Sequence, residues 1–201
     1  MDKRLIRFFI LAGFIALIIS ACTTTNDYEI GVLSKEEKTD IQKLREEEKL
    51  ARDIYIKAYN TYEYFAFVNL YKGEQIHMDN LLNLEMQYMV EDIILPDTGK
   101  YVDESIQNFY NNHLSQITTS ATDAFKVGMT TEEMIIYDIQ NFENNTEEAD
   151  ILKVYSKIKC WSRNHLRLNY NFLNGDTLYQ PQYITIEEYN AIINSDYENC
   201  E

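Results

Sequence analysis

Glycine and proline are scarce, six and two in 201 residues. Both interrupt helices, so a chain with so few of them, filled with strong helix formers, points to a mostly helical protein without by itself excluding a sheet. Basic residues are also few: 18 Lys and Arg face 33 Asp and Glu, a formal charge of −15. That balance argues against nucleic acid as a partner, because phosphate binding rests on clustered positive charge. Internal repeats and low-complexity stretches are absent. Cysteine is limited to three positions, and each one matters below.

The length and a 45% hydrophobic content suffice for one well-packed domain and rarely for two. Residues 1–21 stand outside that domain. A basic start (Lys3, Arg4, Arg7), an apolar run from Phe8 to Ile19 and small residues before a cysteine form the layout of a secretory signal. The run is short for a membrane span. The stretch Ile19-Ser20-Ala21-Cys22 resembles a bacterial lipobox, which implies cleavage before Cys22 and a diacylglycerol on its sulfur. An uncleaved anchor or an ordinary signal would equally place the domain outside the cytoplasm.

Removing residues 1–21 takes away three basic residues and one acidic one, leaving 15 against 32 and a charge of −17. Anionic lipid heads repel such a surface, so the acyl chains at Cys22 are expected to hold the protein to the cell envelope. Residues 22–35 read as a tether and 36–195 as the domain. Cys160 and Cys200 lie in a compartment that permits disulfides. Either they pair and pin the tail to the core, or Cys160 is a buried thiol beside Trp161. A homodimer is left open.

The periodicity predicts four long helices. Helix A opens at Ser34 with Glu37 three positions on, a capping box, and carries an apolar stripe at 41, 44, 51, 55, 58 and 62 interrupted by Glu48. Helix B continues the spacing at 67, 70, 81, 84 and 88, and its two remaining stripe positions are Glu74 and His77. Pro96, Asp97 and Gly99 end that segment, and a short helix near 104–115 belongs to a long crossover. Helix C starts at Ser120, with Phe125, Met129, Ile136 and Ile139 on its stripe and Glu132 in the gap. Thr146 is expected to cap helix D, whose apolar face is read as Val154, Ile158, Trp161, Leu168 and Phe172, with His165 among them and Gly175 at its end. One more short helix follows in the tail.

Each helix thus carries a polar interruption in its stripe. An unpaired buried carboxylate costs several kcal/mol, so something must compensate these groups. Glu74 and His77, at i and i+3, project from one face about 4.5 Å apart along the axis and can reach one ion between helices. That is the Glu-x-x-His unit of dimetal carboxylate bundles. Taking the A–B turn near residue 62 or 63, Glu48 lies about 14 residues before it and Glu74 and His77 about 12 to 15 after, at one height in the bundle. From a C–D turn near Asn145, Glu132 is 13 back but His165 is 20 forward, an expected mismatch of about 10 Å. Glu133 is the alternative helix C ligand. Glu46 and Glu47 read as solvated surface, His113 as an exposed bystander, and Arg52 or Arg163 as cations able to neutralise a buried Glu without any metal.

The stretches EEEKLARDIY (46–55), EQIHMD (74–79), KVGMTTEE (126–133), SRNHLR (162–167) and YQPQYITIEEYNAII (179–193) resemble the ferritin-like family of domain of unknown function 2202. The resemblance spans about residues 36–195. It implies an all-α, ferritin-like four-helix bundle with a long crossover between helices B and C, and a dinuclear iron or manganese site. Dimetal bundles supply a second Glu-x-x-His from the fourth helix, whereas here Ser162 stands three residues before His165, and Ile135 stands three after Glu132. The five candidates Glu48, Glu74, His77, Glu132 and His165 therefore hold one ion, or two with water completing the shells. Two functions remain: a di-iron type oxidoreductase acting on dioxygen or peroxide, or a non-catalytic metal-binding, storage or interaction module.

Overall fold

A computed structural model describes residues 31–173 and 179–201. The signal, Cys22 and Gly175 lie outside those residues. The described chain is an all-α helical bundle of six helices: α1 (Lys35–Tyr62), α2 (Phe65–Gln87), α3 (Glu104–Thr119), α4 (Ala121–Phe142), α5 (Ala149–Phe172) and α6 (Ile186–Ile193). None of these is long and apolar enough to cross a membrane.

Local chemistry sets most helix starts. Ser34 and Glu37 form the expected capping box, each side chain bonding the other's backbone N–H. Asp103, Ser120 and Thr185 accept the first free N–H groups of α3, α4 and α6. The start of α5 corrects the expected Thr146 cap: Glu148 is the N-cap residue and its side chain makes no capping bond to the helix. The Thr146 hydroxyl instead donates to Glu37 at 2.7 Å and accepts from the Glu148 N–H, tying the loop to the start of α1.

Pairing of side chains fixes helix directions. Glu48 meets His77 and Arg45 meets Glu85, so α1 and α2 run antiparallel. Lys43 meets Asp138 and Tyr55 meets Glu132, so α1 and α4 do too, leaving α2 and α4 parallel. Two parallel helices of one bundle need a long connection between them, here residues 88–120 including α3. It is locked to α1 by buried charge. Lys49, fully buried, bonds Asp53 at 2.7 Å and the carbonyls of Asp97 and Lys100, while Asp53 accepts from the Gly99 N–H and the Tyr101 hydroxyl. Glu46 accepts from the N–H groups of Val102 and Asp103. Glu46 is therefore buried rather than solvated, and Glu47 is buried beside Lys43, because the crossover covers this face of α1.

The stripes of α1, α2 and α4 are buried as expected, apart from Tyr62 at the end of α1, which is half-buried. That of α5 is not. Trp161 and Phe172 are 39% and 41% exposed, and the inward face is Ile151, Tyr155, Ile158, Ser162, His165 and Asn169. Its lower half is polar, so apolar periodicity places the face a fraction of a turn off. Cys160 and Cys200 are disulfide-bonded, settling the open alternative, and Glu198 beside them pairs with Arg163 and Arg167 to hold the tail against α5.

Candidate metal centre

Four helices each send acidic or imidazole side chains to one height. Glu48 comes from α1, Glu74 and His77 from α2, Glu132 from α4 and His165 from α5, and all five are buried. Two groups result, Glu48–Glu74–His77 and Glu74–Glu132–His165, within each of which the polar atoms converge closely enough to face a common ion. Glu74 belongs to both. Its Oε2 lies 3.0 Å from His77 Nδ1 and its Oε1 lies 2.8 Å from His165 Nδ1. Glu48 Oε2 is 3.0 Å from His77 Nδ1, and Glu132 Oε1 is 3.6 Å from His165 Nδ1.

Short as these distances are, most are not hydrogen bonds. Both oxygens of Glu74, one each of Glu48 and Glu132, and Nδ1 of His165 have no hydrogen-bond partner. Proximity without donor alignment is what lone pairs directed at a shared point produce. Arg52 is engaged by Asp53 and Gln75, and Arg163 by Glu198, so neither guanidinium neutralises the cluster. A buried set of three carboxylates with no Arg or Lys bonded to it, faced only by two imidazoles, fits a divalent ion through oxygen and imidazole donors.

The fourth helix reaches the site despite the register expected from the loop. Phe142 packs on Tyr155, Glu132 faces His165 and Phe125 stacks on Phe172, each contact displaced equally along both helices. The first turn and a half of α5 therefore overhangs the end of α4, and Asp150 there bonds Tyr88 instead. That overhang absorbs the expected mismatch of about 10 Å. Glu133 is not the helix C candidate: its carboxylate is taken by the Tyr179 hydroxyl and the N–H groups of Gln182 and Tyr183.

Sequence reading misses the groups that support the ligand candidates. The Tyr55 hydroxyl donates to Glu132 Oε1 at 2.7 Å and accepts from Asn169 Nδ2 at 2.8 Å. Burial and then Glu132 push the Tyr55 phenol well above its ordinary pKa, so it stays a donor. Two glycines inside helices make room. A Cβ on Gly128 would meet Tyr55 Cε1 at 2.8 Å, and one on Gly73 would meet His165 Cε1 at 3.0 Å. Glycine in a helix interior is the available signal. Ser162, one turn before His165, is buried with an unpaired hydroxyl. His113, half-buried, only bonds the carbonyl of Phe109.

The cluster holds protons when no ion is bound. Burial pushes Glu48 up to about 8 and Glu132 up to about 7, the latter helped by Glu74. Glu74 goes the other way: burial raises it, but His165 and His77 together hold it below the usual range. Burial lowers an imidazole, yet Glu48 and Glu74 carry His77 up to about 9, and Glu74 with Glu132 carries His165 well above its ordinary value.

The sequence profile of a family described as an uncharacterized protein domain, DUF2202, matches residues 37–196. The uncharacterized protein MJ0754 of Methanocaldococcus jannaschii is 38% identical over 168 residues, 83% of this chain and 91% of that protein. A crystal structure of hypothetical protein MJ0754 from Methanococcus jannaschii matches with a TM-score of 0.80 at 37% identity, covering 84% of this chain and 98% of that one. On the profile match across the helical domain and the identity to this relative, the chain belongs to the DUF2202 family.

Proposed function

We propose that this protein is a ferritin-like metalloprotein of the cell envelope, anchored by lipid at Cys22, which holds iron or manganese through Glu48, Glu74, His77, Glu132 and His165. The carrying observation is that Glu74 directs one oxygen to each of two three-residue groups, an arrangement suited to two ions sharing a carboxylate. Bound iron or manganese would supply redox chemistry toward dioxygen or peroxide. The residues around it do the rest. Tyr55 orients Glu132, the bundle keeps bulk water from the carboxylates, and three carboxylates nearly balance two divalent charges.

A second reading, a non-catalytic centre that stores, delivers or structurally uses metal, is favoured by one feature. Ser162 and Ile135 occupy positions where dimetal bundles offer further carboxylates. Elemental analysis of the domain from Thr23 onward, purified without chelator, decides among two, one and no ions. Glu74→Gln should remove more metal than Glu48→Gln or Glu132→Gln, because it strips both groups. Metal content unchanged in Glu74→Gln would end both readings. Peroxide consumption by the iron-loaded protein then separates enzyme from store.

A further inference from the structure

A cavity of about 690 Å³ opens between α2 and α5 and is closed on one side by the disulfide-held tail. Its size falls within the ~300–1,000 Å³ of small-molecule sites. Leu70, Ile76, Trp161 and Leu168 give it apolar walls, and its inner end is formed by His77 and His165. These are the outer edges of the candidate ligands. Each ring turns Nδ1 toward the carboxylates, and among the described residues no protein group is hydrogen-bonded to either Nε2.

A ligating histidine ordinarily gives its second ring N–H to a carboxylate, carbonyl or water, which fixes its tautomer. Here the described residues offer no such acceptor. With Nδ1 committed to the metal, as the preceding reading holds and on which this inference rests, the proton sits on Nε2. Two N–H donors then line the inner end of a cavity whose walls are apolar at Leu70, Ile76, Trp161 and Leu168. Lys72 and Lys157 also line it, both exposed and neither ion-paired among the described residues, with Glu201 as the opposing charge. In a chain of charge −15, paired cations at a pocket are selective for an anion.

We infer that this cavity binds a small organic acid, its carboxylate accepting from the Nε2–H groups of His77 and His165 and its apolar body lying along Trp161 and Leu168. The acid thereby supplies the acceptor that the two histidines lack.

Trp161 is the only tryptophan in the chain and reports on the site directly. Manganese-loaded full-chain protein is titrated with 3-phenylpropionate and with 3-phenylpropan-1-ol while tryptophan emission is followed, and calorimetry checks the affinities. The acid should shift the emission saturably. The alcohol, which carries no negative charge for the lysines and the Nε2–H groups to meet, should bind at least about tenfold more weakly. Lys72→Glu with Lys157→Glu, two exposed positions, should weaken the acid to a similar degree with metal content unchanged. Equal binding of acid and alcohol, or no emission change in protein that carries metal, overturns the inference and leaves the metal reading intact. Protein that takes up no metal defeats both.

Discussion

Tyr55 donates its hydroxyl to Glu132 across the α1–α4 interface at 2.7 Å, with both residues fully buried. The donor orients one metal-ligand candidate and receives a hydrogen bond from Asn169 in turn. Outer partners of this kind typically govern metal affinity by ~10- to 100-fold.

Tyr55→Phe should therefore weaken manganese binding by about 10-fold or more while leaving the helix content intact. Losing a donor to a buried carboxylate should also cost about 1–3 kcal/mol of stability. Competition titration against a chelator and thermal unfolding measure the two effects. An unchanged affinity would show that Glu132 does not ligate.

Metal uptake should release protons. In the metal-free protein Glu132, Glu48 and His77 are raised to about 7, 8 and 9, so each is still largely protonated below its own value. Ligation requires the deprotonated forms. Affinity should accordingly increase with pH, most steeply below about 7, where all three still carry protons, and less steeply as each is lost toward about 9, with His165, also raised, adding to the dependence. Calorimetry in buffers of different ionisation enthalpy counts the protons; a pH-independent affinity would contradict the assignment.

Gly128→Ala should destabilise the fold even though alanine ordinarily favours a helix by ~1 kcal/mol. The added Cβ would lie 2.8 Å from Tyr55 Cε1 and 2.9 Å from its hydroxyl oxygen, closer than van der Waals contact permits. Tyr55 must move, and Glu132 loses its donor. Urea unfolding should show the loss, with metal affinity falling in parallel. Gly73→Ala presses on His165 at 3.0 Å, a milder clash, and should loosen metal binding more than it alters stability.

The ionic hold on the disulfide-tethered tail should weaken in acid. Arg163, opposed by burial and joined by Arg167, pulls Glu198 down to about 2 from an ordinary 4.5. A depressed carboxylate contributes stability that is complete above the unfolded value and disappears as pH falls through the folded one. The stability difference between the parent and Glu198→Gln should thus be constant above pH ~5 and shrink toward zero near pH ~2. Acid titration of unfolding free energies for both chains measures it.

Much of the centre is legible in the amino-acid order. Glu48, Glu74 and His77 stand out because α1 and α2 are joined by a tight turn, so counting outward from it aligns residues at equal height. Glu132 is visible as the gap in an otherwise apolar stripe. The same counting misplaces His165, because the α4–α5 connection lets α5 overhang its partner, and a loop's asymmetry is not encoded in helical period. Glu46 and Glu47 mislead for a related reason: they sit off the stripe, yet a crossover dozens of residues away covers them.

The sequence by itself determined helix number, the capped starts of α1 and α4 and the inward stripes of α1, α2 and α4, since capping and apolar period act within one or two turns of chain. Tertiary structure decided the remainder. It chose Glu132 over Glu133, paired Cys160 with Cys200, turned Trp161 outward into a cavity and gave Tyr55 its partner in Glu132. Each of those outcomes depends on which groups from distant segments meet in the same small volume, and close packing settles that for the whole molecule at once.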